Sequence, residues 1–446
     1  MPSITDTSSG IFNPLSADIK LLGNLLGVVI REQHGDAAFE TVERVRQSAK
    51  ARRGGDLMAH TELTNIISGL DLGQKRVLIK AFSNYFQLIN IAEDQQRIRV
   101  LRQREEEDRL TESIQEAVAA LHRAGVTADE MRALLGRIRV RLVMTAHPTE
   151  AKRKELLVKL RHIAQMMAQR GHPDLLPREQ RDLEAFLAEE IEELWQTRPT
   201  RAARTTVEDE VDFGLYFITS VIMDNLLDIT NDLRASLQAH YPDADWTDLP
   251  PLLCYASWIG GDRDGHPGVT PEVTLATLRT LRDAARRVYL DEIAFLREHL
   301  TQCTAEFPPS EALHAWAADH PDDAARYPGE LYRARLDAVW RQLAADEYRT
   351  GDDLLRDLDT IAASLRAQRS RRVAGGVLRR LVDKVCQFGL YLVPLEVRQD
   401  ARLHAAAVAE ILRRYEVALV YVGELERAYY NPLGLSKFDT MVGSTL

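Results

Sequence analysis

The chain has 446 residues, of which 45% are hydrophobic and 28% are charged, as in an ordinary globular protein. Its 57 basic and 67 acidic side chains give a formal net charge of -10, which argues against general affinity for nucleic acid or anionic membranes. Three widely separated cysteines match no metal-binding spacing, and the N-terminus lacks a basic start followed by an apolar segment. No uninterrupted apolar run is long enough to cross a bilayer. These features predict a cytoplasmic protein with neither a nucleic-acid nor a membrane partner.

Helical patterns dominate the chain. Ser16 is a candidate N-cap for a helix over residues 17–33, whose leucines and isoleucines form a wide stripe. Residues 73–104 form a second long helix, and its apolar face is so broad that we expect it to pack against other helices. Helical periodicity returns over residues 174–198, 207–240, 271–301, 329–347 and 352–388.

Three short apolar runs between these helices are predicted to be strands. They cover residues 141–146, 252–257 and 390–397, and reactive polar residues follow each run directly. Parallel strands separated by helices, with chemistry at their C-terminal ends, indicate a βα barrel or an open parallel sheet. Three strands cannot close a barrel by themselves.

The first predicted strand leads to His147. Pro148 favours an extended backbone at His147, and Thr149 is a candidate N-cap for the helix that follows. An imidazole beside a helix N-terminus with basic neighbours can meet an anion and exchange a proton with it. The residues alone leave two interpretations open: a catalytic histidine, or a strand-end histidine hydrogen-bonded to the backbone.

The second predicted strand leads to a candidate active-site loop. Paired glycines permit a backbone that other residues cannot adopt, and alternating charges follow on a tight turn. The loop residues are Gly260, Gly261, Asp262, Arg263 and Asp264. The segment matches neither a P-loop nor an EF-hand. The alternative is an Asp–Arg pair that only holds the turn together.

The third predicted strand leads to Arg398. A guanidinium there can bind a phosphate or carboxylate through two parallel hydrogen bonds. It could equally pair with Asp400, two positions further on. No histidine-rich metal signature, Gly-x-Ser-x-Gly motif or Rossmann fingerprint occurs in the chain.

These segments carry a resemblance to a known family. Thr145-Ala-His-Pro-Thr-Glu150, Ser257-Trp-Ile-Gly-Gly-Asp-Arg-Asp-Gly265 and Val397-Arg-Gln399 resemble the signature segments of the phosphoenolpyruvate carboxylase family, in that family's order and spacing. The resemblance covers about residues 15–415. His266 and Gly268 stand where the family usually has asparagine.

The resemblance implies a mostly α-helical fold, with helical elaborations around part of a (β/α)8 barrel of the triosephosphate isomerase type. About three of the barrel strands would lie in this chain, with the active site at their C-terminal ends. We expect an N-terminal helical region over residues 1–140, a partial barrel with helical insertions over 141–415, and a divergent tail over 416–446.

The family joins phosphoenolpyruvate and bicarbonate, using Mg²⁺ or Mn²⁺, to give oxaloacetate and phosphate, which feeds the tricarboxylic acid cycle. By resemblance, His147 corresponds to the histidine that takes the carboxyl proton, and Arg398 corresponds to a substrate-binding arginine. The resemblance also implies a cytoplasmic homo-oligomer, a homotetramer in the complete enzyme.

Members of the family are much longer than this chain. Their metal ligands, a phosphate-binding loop and the effector site lie in segments without a counterpart here, so the resemblance predicts a truncated chain. Two hypotheses remain open at this point. The chain is either the N-terminal half of a phosphoenolpyruvate carboxylase that needs the rest for activity, or a non-catalytic helical scaffold or subunit-binding fragment derived from one.

Overall fold

The computed structural model describes residues 13–145, 153–172, 174–198, 206–264 and 266–415. These residues are mostly helical and belong to two compact units. The first unit lies within Met1–Thr111 and Glu150–Arg204, and the second lies within Glu112–Thr149 and Thr205–Leu446. The domain boundaries expected from the sequence remain a prediction.

Long helices alternate with short connections along the described chain, and strands β1 and β2 lie between them. In chain order the elements are α1 (Pro14–His34), α2 (Asp36–Arg53), α3 (Leu57–Gly69), α4 (Leu72–Glu106), α5 (Ile114–Arg123), α6 (Ala128–Arg137), β1 (Val140–Met144), α7 (Lys154–Arg170), α8 (Pro177–Gln196), α9 (Val207–Phe217), α10 (Met223–His240), β2 (Leu253–Ser257), α11 (Pro271–His299), α12 (Glu311–Asp319), α13 (Pro321–Ala324), α14 (Leu331–Ala344), α15 (Gly351–Ala367), α16 (Arg371–Ala374), α17 (Val377–Phe388) and α18 (Ala401–Arg414). A π-helical turn, Ile218–Ile222, joins α9 to α10.

The first unit is a helical bundle in which α1 packs on α4 and α8, and α7 packs on α4 and α8. Its core is formed by buried leucines and isoleucines, among them Leu22, Leu88 and Ile191. Helix α1 begins before the predicted cap, because the Asn13 side chain accepts a hydrogen bond from the backbone N–H of Ser16 and a proline occupies the first helical position.

The second unit has its own core, formed largely by α9, α11, α14, α15 and α17. The continuous helical stretch Val207–His240 is, among the described residues, long and apolar enough to cross a membrane by length and composition. Its inward-facing residues, such as Val211, Ile218 and Leu226, are buried in this core. Burial in the protein core therefore accounts for part of its apolar composition.

Strands β1 and β2 pair in parallel, with Val140 opposite Leu253 and Met144 opposite Ser257. The third predicted strand, over residues 390–397, is wrong as an element. Leu392 has a left-handed backbone with φ of 62°, and Pro394 has no N–H to donate to a ladder.

The segment over residues 394–398 nevertheless runs parallel to β2. Ser257 donates its N–H to the Pro394 carbonyl at 2.9 Å, and Glu396 donates its N–H to the Ser257 carbonyl at 2.9 Å. Isolated parallel bridges join Ser257 to Leu395 and Asp262 to Arg398. The carboxyl ends of three parallel segments therefore lie side by side, in chain order.

Candidate functional site

The predicted loop and the predicted arginine meet at this carboxyl edge. The five residues of the loop follow β2, and Arg398 follows the bridged segment. Arg398 donates its N–H to the Gly261 carbonyl at 3.0 Å, and Arg263 donates its N–H to the Arg398 carbonyl at 2.9 Å. His147 lies outside the described residues; in the sequence it follows Met144, the last residue of β1, by three positions.

Close packing requires both glycines of the loop. Gly260 has φ of 81°, a left-handed conformation, and a Cβ there would overlap the side chain of Thr277. A Cβ on Gly261 would overlap the carbonyl oxygen of Glu396. The loop can therefore lie against both α11 and the bridged segment only because these positions lack a side chain.

Two of the charged side chains of the loop, Asp262 and Arg263, contact different parts of the protein. Asp262 accepts a hydrogen bond from Nη1 of Arg398, with 3.1 Å between Nη1 and Oδ2. Arg263 donates from Nη2 to the hydroxyl of Thr274 on α11 at 3.2 Å. Thr274 in turn donates to the carbonyl of Gly260 at 2.9 Å. Asp262 is thus directed at the candidate substrate arginine, while Arg263 fastens the loop to the helix behind it.

The structure shows which of the possible ion pairs of Asp262 and Arg398 are formed. Asp262 pairs with Arg398 across two segments and not with its neighbour Arg263. Asp400, the alternative partner of Arg398, instead caps α18 by accepting the N–H of Arg402 at 2.8 Å. The pair therefore links two parallel segments and does not merely hold a turn.

The guanidinium of Arg398 also lies over an aromatic ring. Its Cζ is 3.8 Å from the centroid of the Trp258 ring, which is cation–π geometry. The side chain remains 41% exposed. Its Nε and Nη2 groups have no hydrogen-bond partner among the described residues, so these N–H donors can serve a bound anion.

Sequence reasoning missed three further residues at this edge, Arg141, Trp258 and Glu396. Glu396 accepts a hydrogen bond from the indole Nε1 of Trp258 at 2.8 Å and a second from Nη1 of Arg141 at 3.2 Å. The sequence feature that could have identified Glu396 is its position two residues before Arg398, because side chains two residues apart in an extended backbone lie on the same face. We call the five side chains Arg141, Trp258, Asp262, Glu396 and Arg398 the strand-edge network.

The described residues do not fit the metal that the family resemblance implies. Within the described ranges, no group of three or more His, Cys, Asp or Glu side chains is arranged to hold a metal ion. Mg²⁺ and Mn²⁺ are bound mainly by oxygen ligands. The two carboxylates of the strand-edge network, Asp262 and Glu396, are each engaged by an arginine.

Comparison with known proteins agrees with the sequence motifs. The family profile for phosphoenolpyruvate carboxylase matches residues 15–429, beyond residue 415, where the likeness was expected to fade. The phosphoenolpyruvate carboxylase of Roseiflexus castenholzii is 37% identical over 448 residues, which cover 93% of this chain and 47% of that protein.

Two further relatives carry the same name. The enzyme of Rhodothermus marinus is 37% identical over a match that covers 91% of this chain and 46% of that protein. The enzyme of Thermus thermophilus is 36% identical over a match that covers 90% of this chain and 45% of that protein. The chain therefore spans about half the length of the curated relatives it matches.

Proposed function

The chain belongs to the phosphoenolpyruvate carboxylase family, and from this premise we propose that it supplies one half of an enzyme that forms oxaloacetate and phosphate from phosphoenolpyruvate and bicarbonate. The observation that carries the proposal is the position of Arg398. Its Nε and Nη2 groups, which have no hydrogen-bond partner within the described ranges, lie at the carboxyl edge of the parallel segments, beside the loop that the family shares. The enzyme would be a cytoplasmic homotetramer.

The proposed fold around this site is a (β/α)8 barrel. Support comes from β1, β2 and the segment over residues 394–398, which are parallel neighbours in chain order with helices between them. That order is the one a barrel requires, and barrel enzymes place their sites at the carboxyl ends of the strands.

Arg398 is proposed to bind an anionic group of phosphoenolpyruvate. Its single hydrogen bond to Asp262 anchors Nη1 and leaves Nε and Nη2 as a pair of donors. Such a pair matches the spacing of two phosphate or carboxylate oxygens. The positive charge would offset the charge on those oxygens as the phosphoryl group is transferred.

His147 is proposed to act after that transfer. A bicarbonate oxygen attacks the phosphorus, which gives carboxyphosphate and the enolate of pyruvate. His147 then takes the carboxyl proton, carboxyphosphate breaks into carbon dioxide and phosphate, and the enolate carbon captures the carbon dioxide. An imidazole suits this step because it accepts a proton near neutral pH.

Mg²⁺ or Mn²⁺ would supply charge neutralisation in the family reaction. Since the described residues offer no ligand group, we assign no step to the metal and propose that its ligands come from outside them. The same observation favours the second candidate function for the chain on its own, a non-catalytic helical scaffold or subunit-binding fragment.

The test uses a completed protein, in which residues 1–429 of this chain are joined to the remaining C-terminal part of the Roseiflexus castenholzii relative. Oxaloacetate is followed by its reduction with malate dehydrogenase, in the presence of phosphoenolpyruvate, bicarbonate and Mg²⁺. We expect turnover from the completed protein and none from the 446-residue chain alone. A folded but inactive completed protein would favour the scaffold.

His147→Asn in the completed protein separates catalysis from support of the fold. Oxaloacetate formation should fall by about 10²–10⁴, while pyruvate and phosphate should still form in a bicarbonate-dependent reaction. His162→Asn is the matched control, because His162 pairs with Glu190 on the surface of the first unit and should leave both reactions intact. Equal loss of both reactions in His147→Asn, with a lower melting temperature, would show that His147 only holds the strand end.

A further inference from the structure

We propose that Glu396 is a positioning residue that sets the direction of Arg398 by holding the indole of Trp258. The inference rests on the proposed role of Arg398 in binding substrate. Glu396 and Arg398 contact the same ring from different sides: Glu396 accepts the hydrogen bond of the indole N–H, and Arg398 lies over the ring face.

The contact with Glu396 fixes the plane of the ring. An indole has one N–H donor, and in this protein it donates to Oε2 of Glu396 at 2.8 Å. Rotation of the ring away from this plane would break the hydrogen bond and leave the N–H of a half-buried side chain without its acceptor. The ring face beneath Arg398 is therefore held in one orientation.

Glu396 is itself held from three sides. Its other carboxylate oxygen accepts a hydrogen bond from Arg141 of β1 at 3.2 Å. Its backbone N–H is bonded to Ser257, and its carbonyl abuts Gly261. The carboxylate consequently reaches the indole from a backbone that is anchored to β2.

The ion pair with Asp262 alone does not fix the orientation of Arg398, so the contact with the Trp258 ring acts as a second constraint. Its contact with Asp262 is one hydrogen bond on a side chain that is 41% exposed, and an arginine side chain has many rotamers. A single exposed pair of this kind fixes a guanidinium weakly. Asp262 at one end and the Trp258 face below together define where Nε and Nη2 are directed.

The first experiment reads the contact directly, in the 446-residue chain and without substrate. A guanidinium over an indole face experiences the ring current, so the Nε–H signal of Arg398 in a ¹⁵N spectrum should be displaced; Arg398→Lys identifies the signal by removing it. Glu396→Gln keeps an acceptor and should keep the displacement. Glu396→Ala should move the signal toward its position in Trp258→Leu, where the ring is absent.

A matched control and a second variant keep this test decisive. Glu330→Ala removes a glutamate whose side chain is also 32% exposed and also paired with an arginine, Arg333 at 3.1 Å, and it should leave the Arg398 signal unchanged. Trp258→Phe keeps an aromatic face but has no N–H to donate to Glu396. It should therefore move the Arg398 signal in the direction expected for Glu396→Ala, and it provides the test if Glu396→Ala fails to fold. An unchanged Arg398 signal in Glu396→Ala would overturn the proposal.

Kinetics of the completed protein then separate this inference from the proposed function. A misdirected guanidinium should lower kcat/KM for phosphoenolpyruvate by about 10-fold to 100-fold in Glu396→Ala, and Glu396→Gln should recover most of it. If the Arg398 signal moves but kcat/KM does not, the positioning role stands and the substrate role of Arg398 fails. If kcat/KM falls while the signal stays, Glu396 acts by another route and the inference is wrong.

Discussion

Arg380 and Arg398 both lie beside aspartates in the second unit, but their guanidinium groups are occupied to different extents. Arg380 of α17 donates from Nη1 to Asp228 at 2.8 Å and from Nη2 to Asp224 at 3.0 Å. Lys384, one turn further on, is buried and pairs with Asp224 and with Glu292 of α11. Counting only partners that the structure describes, Arg398 has one such bond, to Asp262, and an aromatic ring beneath it.

We call Asp224, Asp228, Glu292, Arg380 and Lys384 the helix network. Its cations face carboxylates from two other helices, so both ends of the Arg380 guanidinium are engaged in joining the helices. In the strand-edge network, Nε and Nη2 of Arg398 have no hydrogen-bond partner among the described residues. From this difference we predict that the helix network contributes mainly to stability, and that Arg398 of the strand-edge network contributes mainly to the proposed substrate binding.

The largest effect on stability is expected from breaking the helix network. Lys384→Met should lower the free energy of unfolding by about 2 kcal/mol or more, because it leaves Glu292 partly buried without its cation; a fully buried pair would lose about 3–5 kcal/mol. Urea unfolding measures the change. Arg356→Met is the control, since its pair with Asp353 is on a side chain 73% exposed and should contribute at most about 1 kcal/mol. Equal losses in the two variants would contradict the comparison.

A change of intermediate size is expected in the strand-edge network. Gly261→Ala places a Cβ against the backbone carbonyl of Glu396, and such overpacking should cost about 1–3 kcal/mol of stability and weaken phosphoenolpyruvate turnover in the completed protein. Gly136→Ala on α6 meets nothing within 4 Å and should raise stability slightly, by up to about 1 kcal/mol. Gly261→Ala with unchanged stability and turnover would show that the loop does not need its close approach to Glu396.

The smallest effect concerns pH. Although burial opposes ionisation, hydrogen bonds and charge from Arg380 and Lys384 lower the pKa of Asp224 below its ordinary value. A carboxyl with a lowered pKa contributes stability above its unfolded pKa and loses that contribution as the pH falls through the folded pKa. The stability difference between the parent chain and Asp224→Asn should therefore shrink below about pH 4. A difference that stays constant from pH 7 to pH 3 would exclude this contribution.

Periodicity predicted the long helices well. The helix expected over residues 73–104 is Leu72–Glu106, and the one expected over 271–301 is Pro271–His299. The single helical stretch expected over 352–388 is broken, because Arg369 is left-handed with φ of 62° and two glycines separate α16 from α17. A left-handed residue in the chain interior has no periodic signal in the sequence.

The candidate site was only partly predictable for a similar reason. Asp262 and Arg398 each follow an apolar run, and this made both visible as candidates. Their pairing, and the joining of Arg141 to Trp258 through Glu396, depend on the register between parallel segments more than a hundred residues apart. Local sequence patterns carry no information on that register.

The difference between the strand-edge network and the helix network is tested most directly by comparing Arg398→Met with Arg380→Met in the completed protein. For each variant, kcat/KM for phosphoenolpyruvate and the melting temperature are measured. Arg398→Met should lower kcat/KM by about 10²–10³, the loss expected when a donor to developing charge is removed. It also leaves the Asp262 carboxylate, whose side chain is 19% exposed, without its cation, so we expect a fall in the melting temperature beside the kinetic loss. Arg380→Met should lower the melting temperature and leave kcat/KM near the parent value. An Arg398→Met protein with the parent kcat/KM would contradict the assignment of the strand-edge arginine to the substrate.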